Sequence, residues 1–321
     1  MQVAKAEQAG HPSSAREASM PPPLAAPRFD LADASTGRIA CYGEAPPGNT
    51  LAPLLLVHSV NAAATAYEVK PLFDHYRNRR AVYALDLPGF GLSDRADRAY
   101  TPRLMTDAIL LLLREIRKRH GEARVDVIAL SLSCEFAARA ATEEPNAFRT
   151  LALISPTGFD RRSERAAKTP GDTDATRAMP WLRSVLTVRL WKRGFFAALT
   201  SRASIRFFLQ KTFGRKEIDE GLLEYDYITA HQPGAENAPY SFVSGYLFSA
   251  KALRIYQALS MPVWMAHGVR GDFVDYQAKH EVEGLPNWSV NVFETGALPH
   301  FEQPEKVIAA YEDFLARTDR L

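Results

Sequence analysis

An α/β fold built on a mostly parallel sheet is predicted for this 321-residue chain by three observations. Short apolar runs rich in Val, Ile and Leu alternate with longer stretches of helical period. One such run, Val125 to Leu130, ends in a small-x-Ser-x-small turn, and an Ala-rich amphipathic stretch begins at once. The alternation is interrupted once, from Pro156 to about Tyr256, before it resumes at Met261. Buried strands joined by helices at this spacing imply right-handed β-α-β crossovers.

In chain order, residues 1–27 are rich in Ala, Pro and Ser, lack an apolar run of secretory length, and read as a flexible tail. Gly37 to Tyr42 is a short early strand, and Ala52 to His58 a continuous buried one. Ala81 to Asp86 is the next strand, and Leu87 to Asp94 a glycine-dependent turn that the side chains of Asp86 and Ser93 can hold. Met105 to about His120 is a helix with a Leu-rich face, and its basic end suits the helix dipole. Arg149 to Ile154, Met261 to His267 and Trp288 to Glu294 complete the strands.

Composition narrows the function classes. Hydrophobic residues at 46% and charged residues at 24% supply a core, and a net charge of +2 argues against a dedicated nucleic-acid binder. Cys41 and Cys134 lie far apart, without metal or redox spacing, and read as free thiols of a reducing compartment, Cys134 as a small buried hydrophobe. No metal or cofactor motif is found, and no stretch reaches the ~18 apolar residues of a membrane span. A cytoplasmic protein is expected.

The turn Ala129-Leu130-Ser131-Leu132-Ser133 places Ser131 in a strained conformation at the end of a strand, with small neighbours where strand and helix approach. It resembles the nucleophile elbow of the α/β-hydrolase superfamily, usually Gly-x-Ser-x-Gly, with Ala129 and Ser133 in place of the glycines. The run Asp86-x-Pro88-Gly89-x-Gly91-x-Ser93 resembles the loop after that superfamily's fourth strand, and His58-Ser59-Val60 its His-Gly-x turn. The resemblance covers roughly residues 38–317. It implies the α/β-hydrolase fold, with a core of residues 28–156 and 257–321 and a helical cap over 157–256.

Further implications follow from the resemblance. Ser131 is the nucleophile, and the Val60 and Leu132 N–H groups form the oxyanion hole. The acid that follows the late strand is Asp272, one place later than usual, with Asp275 as an alternative. The base is expected directly after Gly296, where Ala297 stands instead, and His300 lies three residues on. Either His300 takes the base role with Asp272 as its shifted partner, or the base is missing. The leading expectation is hydrolysis of an ester of a small hydrophobic substrate through a Ser131 acyl-enzyme. A C–C bond hydrolase acting on a diketone and a non-catalytic binder of hydrophobic ligands are the alternatives.

Between Asp160 and Lys216 there are 14 Lys/Arg and 4 Asp/Glu, interleaved with Trp181, Leu182, Leu186, Trp191, Phe195, Phe196, Phe207 and Phe208. Such a segment meets a membrane surface or an acidic, greasy substrate, or else packs its apolar side on the core with its arginines solvated. Packing is the expected use. Tyr225 to Phe248 adds a second aromatic half, able to line a pocket or fill a core.

Overall fold

The computed structural model describes residues 20–273 and 275–320. Eight strands form one sheet: β1 Arg28–Asp33, β2 Gly37–Glu44, β3 Leu54–Val57, β4 Val82–Leu85, β5 Val125–Leu130, β6 Phe148–Ile154, β7 Val263–His267 and β8 Trp288–Val292. Their order is β1-β2-β4-β3-β5-β6-β7-β8. The first two strands are antiparallel to their neighbours, and every later pair is parallel. The α/β-hydrolase architecture expected from the sequence is therefore present. β1 escaped the sequence reading because its alternating exposed and half-buried residues at the sheet edge carry little apolar signal.

Burial explains the long apolar runs. β3, β4, β5 and β7 are buried at every position, because helices cover both faces of the parallel part. One face receives α2, Pro102–Arg119, and α3, Ser133–Glu143, through residues such as Leu112, Phe136 and Leu153. The other face receives α1, Lys70–Tyr76, and the long C-terminal helix Pro304–Thr318, through Phe73, Trp264 and Tyr311. Thr101 caps α2 by accepting from the Leu104 N–H, and Pro102 opens the helix where a missing N–H costs nothing.

Residues 1–19 of the expected tail lie outside the described residues. Met20 to Pro27, expected in the same tail, lie against the core instead. Met20 and Leu24 are buried beside Tyr42 and Tyr225, and the Tyr225 hydroxyl donates to the Pro21 carbonyl at 2.9 Å. The polyproline run presents apolar surface at little entropic cost, which a composition argument for disorder does not weigh.

Between β6 and β7 the chain forms seven helices: α4 Arg161–Lys168, α5 Pro180–Leu186, α6 Lys192–Leu199, α7 Arg202–Phe213, α8 Glu220–Ala230, α9 Asn237–Val243 and α10 Ala252–Gln257. α10 belongs to the main core, since Leu253 and Tyr256 sit among the residues of α3 and β6. α4 and α9 also reach that core through Ala167 and Ala238, while parts of the remaining helices form two smaller apolar clusters. In one, Leu186, Phe196, Ala230 and Tyr240 meet Ala63 of the loop after β3. In the other, Leu209, Phe213 and Leu222 meet Leu298 of the loop after β8.

Candidate active site

Ser131 follows β5 with φ +50°, a left-handed conformation costly for a residue with a side chain. Its own N–H donates to the Ile154 carbonyl at 2.8 Å, and its carbonyl accepts from Cys134 N at 3.1 Å, opening α3. Strand and helix thus fix the strained residue from both sides. Ser131 is half-buried, and its hydroxyl has no hydrogen-bond partner among the described residues. Ser133, where the usual pattern has glycine, is fully buried with its hydroxyl likewise unpartnered.

Val57 of β3 pairs with Ala129 of β5, so the loop after β3 and the elbow emerge side by side from the carboxyl edge of the sheet. Neither the Val60 N–H nor the Leu132 N–H has an acceptor among the described residues. One of these donors directly follows Ser131 in the chain, and the other lies on the neighbouring loop after β3.

Glu68, a buried residue absent from the sequence reading, fixes that loop. Its carboxylate accepts from Ser59 N at 2.7 Å, from Ser59 Oγ at 3.0 Å and from Asn61 Nδ2 at 2.7 Å. Asn61 Oδ1 in turn accepts from Ala63 N at 2.7 Å. With Thr65 three places earlier, Glu68 reads in sequence as a helix-start residue; only the fold turns it toward the loop. His58 is buried and structural. Leu87 N donates to its Nε2 at 2.9 Å, so Nδ1 carries the proton and donates to the Ser59 carbonyl at 2.6 Å.

Asp86 and Ser93 hold the turn between them. Asp86 accepts from Tyr42 Oη at 2.6 Å, Ala66 N at 2.8 Å and Leu92 N at 2.8 Å, and Ser93 Oγ bonds the Asp86 carbonyl. A Cβ at Gly91 would lie 2.0 Å from the Asp86 carboxyl, which is why that place needs glycine.

The acid and base candidates each have other partners. Asp272 is exposed in a turn, with its carboxylate 3.1 Å from Lys211 Nζ. Asp275, also exposed, accepts from Gln277 N at 3.3 Å. His300 is wholly buried, its Nε2 bonded to the Glu68 carbonyl at 2.8 Å and its Nδ1 without a partner. Because a carbonyl can only accept, the proton sits on Nε2. Burial pushes the His300 pKa down to about 4, against the raising effect of that bond. No hydrogen bond joins Ser131, Asp272 and His300 among the described residues.

What occupies the neighbourhood of Ala297 is the end of α7. Ala297 N donates to the Thr212 carbonyl at 2.8 Å, and Asp272 N to the Lys211 carbonyl at 3.3 Å. A Cβ on Gly296 would fall 2.3 Å from the Thr212 oxygen, and one on Gly271 2.4 Å from the Lys211 oxygen. Gly271, the place where the commoner spacing puts the acid, also has φ +88°. Arg215 and Arg270 both pair with the buried Glu302 carboxylate, which accepts from Gly296 N at 2.6 Å.

A second buried acid, Asp226 of α8, was also missed. Leu222 and Ala230 lie one turn before and after it on the same helix face; the first packs with Leu298 and the second with Ala63. Asp226 therefore faces the gap between the loop after β3 and the loop after β8. Its Oδ1 has no partner, and burial, with the Glu68 charge, holds its pKa well above the usual carboxylate range. The available signal was an acid on the apolar stripe of a helix.

The sequence profile of the alpha/beta hydrolase family matches residues 54–310. Among curated proteins, abhydrolase domain-containing protein abhd-5.2 of Caenorhabditis elegans is 24% identical over 142 residues, 44% of this chain and 31% of that protein. This chain thus matches less than a third of that relative's length. Among solved structures, a probable hydrolytic enzyme of Pseudomonas aeruginosa PAO1 superimposes with a TM-score of 0.64 at 20% identity, covering 91% of this chain and 95% of that one. A serine hydrolase involved in carbazole degradation gives 0.64 at 14% identity, over 90% and 99% of the two chains. A membrane phospholipase A described as a bacterial virulence factor gives 0.62 at 20% identity, over 92% and 87%. At these identities the likeness is one of fold.

Proposed function

Since this chain belongs to the alpha/beta hydrolase family, we propose that it is an ester hydrolase of low turnover, with Ser131 as the acyl acceptor. The observation that supports it is the strained Ser131 with its unpartnered hydroxyl, on a turn beside the loop after β3, with the Val60 and Leu132 N–H groups of these two segments free of acceptors among the described residues. Two preorganised donors stabilise an oxyanion without needing a base. Leu186, Phe196 and Leu298 place apolar surface around the insertion's contacts with the two loops, which suits a small hydrophobic acyl group under a helical cap.

Proton removal is the slow part of this mechanism, because the Ser131 proton passes to solvent water, which also protonates the leaving alkoxide and later hydrolyses the acyl-enzyme. An imidazole with a pKa near 4 is a poor base at neutral pH, and Asp272 is engaged with Lys211. In serine hydrolases stripped of triad members, the oxyanion hole and binding alone retain about 10³–10⁴-fold acceleration over water. That range is the expected rate here.

The experiment is incubation with p-nitrophenyl esters of several chain lengths and with a fluorophosphonate, followed by intact-protein mass spectrometry. A covalent adduct present in wild type and absent in Ser131→Ala, with Ser131-dependent nitrophenol release, supports the reading. Cleavage of a diketone but not of esters would move the reaction to C–C bonds. A second reading, a non-catalytic binder of hydrophobic ligands, is favoured by Ala297 and by the engagement of His300 with the Glu68 carbonyl. It gains if no adduct forms while a fatty acyl ligand binds and shifts the melting temperature.

A further inference from the structure

The segment expected to pack on the core does so only in part. Leu186 and Phe196 turn inward to the cluster around Ala63. Six other large apolar side chains within fifteen residues, Trp181, Val185, Val188, Leu190, Trp191 and Phe195, stand in solvent, with Leu190 87% and Trp181 68% exposed. All belong to one helical hairpin, α5 and α6 with their connection. Apolar residues gathered this way on a surface mark a contact site, whereas single exposed ones do not.

The surrounding charge says what kind of contact. From Ala175 to Lys216 there are ten Lys/Arg and no Asp or Glu. Within the hairpin, Arg183 bonds Ser241 Oγ at 2.5 Å and lies over the Tyr246 ring. Arg193 is 92% exposed at its side chain, 3.9 Å from Glu236, and Lys192 lies 3.6 Å from the same carboxylate. Arg189 has no ion-pair partner among the described residues. Trp191 Nε1 donates to the Val185 carbonyl at 3.0 Å. The indole can therefore leave water without stranding its one polar atom.

We propose that the α5–α6 hairpin docks this protein on an anionic lipid bilayer, with Trp181, Leu190 and Trp191 entering the interface and the arginines meeting the headgroups. A tip of Trp, Leu and Val with a basic rim, countered at the hairpin only by Glu236, has the composition of an interfacial helix. Each cation near an anionic surface raises binding about fivefold. The docked face lies one helix layer above the loop after β3, because Leu186 and Phe196 reach Ala63 from the same two helices. Docking would bring lipid-borne acyl groups beside Ser131, but the proposal does not depend on catalysis.

The test is co-sedimentation of the full chain with vesicles of phosphatidylcholine alone and of phosphatidylcholine mixed equally with phosphatidylglycerol. Expected is binding to the anionic vesicles, weakened by salt and weak on the neutral ones. Arg189→Glu with Arg193→Glu should cut binding about twentyfold or more, and Trp181→Ser with Leu190→Ser should abolish it, with melting temperatures held at the wild-type value. Equal sedimentation of wild type and both variants, or none on anionic vesicles, overturns the proposal. So does light scattering that finds a wild-type dimer made monomeric by Leu190→Ser without vesicle binding, since the patch would then be covered by a second copy.

Discussion

At Ser131 the fold accepts strain that a different residue would relieve. Glycine adopts φ +50° at no steric cost, so Ser131→Gly is expected to raise stability by about 1 kcal/mol in urea unfolding while abolishing any acyl adduct. A loss of stability would mean that the hydroxyl is held by the fold and is not free. His300 makes a second prediction with a definite sign. Its native pKa near 4 lies below the unfolded value, so its contribution is intact above pH about 6.5 and is lost as pH falls toward 4, by at most about 3 kcal/mol. Thermal melts of wild type should fall across that window, and His300→Gln, which keeps an N–H for the Glu68 carbonyl, should flatten the fall. Asp226 has the opposite sign. Its pKa is raised in the native state, so stability drops as pH rises above the usual carboxylate range. Asp226→Asn should therefore stabilise the protein at pH 7 and give no gain near pH 4, read from melts at the two pH values.

Helix α7 shows what the sequence could and could not disclose about the site. The elbow, the loop after β3 and the Asp86 turn were legible because each depends on neighbours in sequence: small residues, a glycine, a short side chain reaching its own backbone. The surroundings of the base and acid candidates were not. Ala297 and Gly271 appear in sequence only as departures from a familiar spacing. The reason for tolerating them, the approach of the Lys211 and Thr212 carbonyls, lies about sixty to eighty-five residues away in the chain. Glu68 and Asp226 stayed hidden for the same cause, since their meaning comes from elements that meet only in three dimensions. The contact is tight enough to test. Gly296→Ala should cost about 1–3 kcal/mol by overpacking against the Thr212 oxygen, and should speed tryptic cleavage at Lys211 and Arg215. Unchanged stability and cleavage would mean that α7 moves aside freely.

Over the whole molecule, the order of strands and the place of the insertion followed from alternation of apolar runs, because a sheet buried on both faces must be written that way. The N-terminal boundary did not, since Met20 to Pro27 bury few residues and leave no periodic pattern. Truncation after Pro27 should lower the melting temperature, by removing Leu24 and the Tyr225 contact. The backbone bonds from Ala297 and Asp272 to the end of α7 bear on motion as well as on stability. They fasten the end of α7 directly to the loops after β7 and β8, so α7 cannot lift away there while those loops stay as they are. Displacement of α7 and rearrangement of the two loops would be one event.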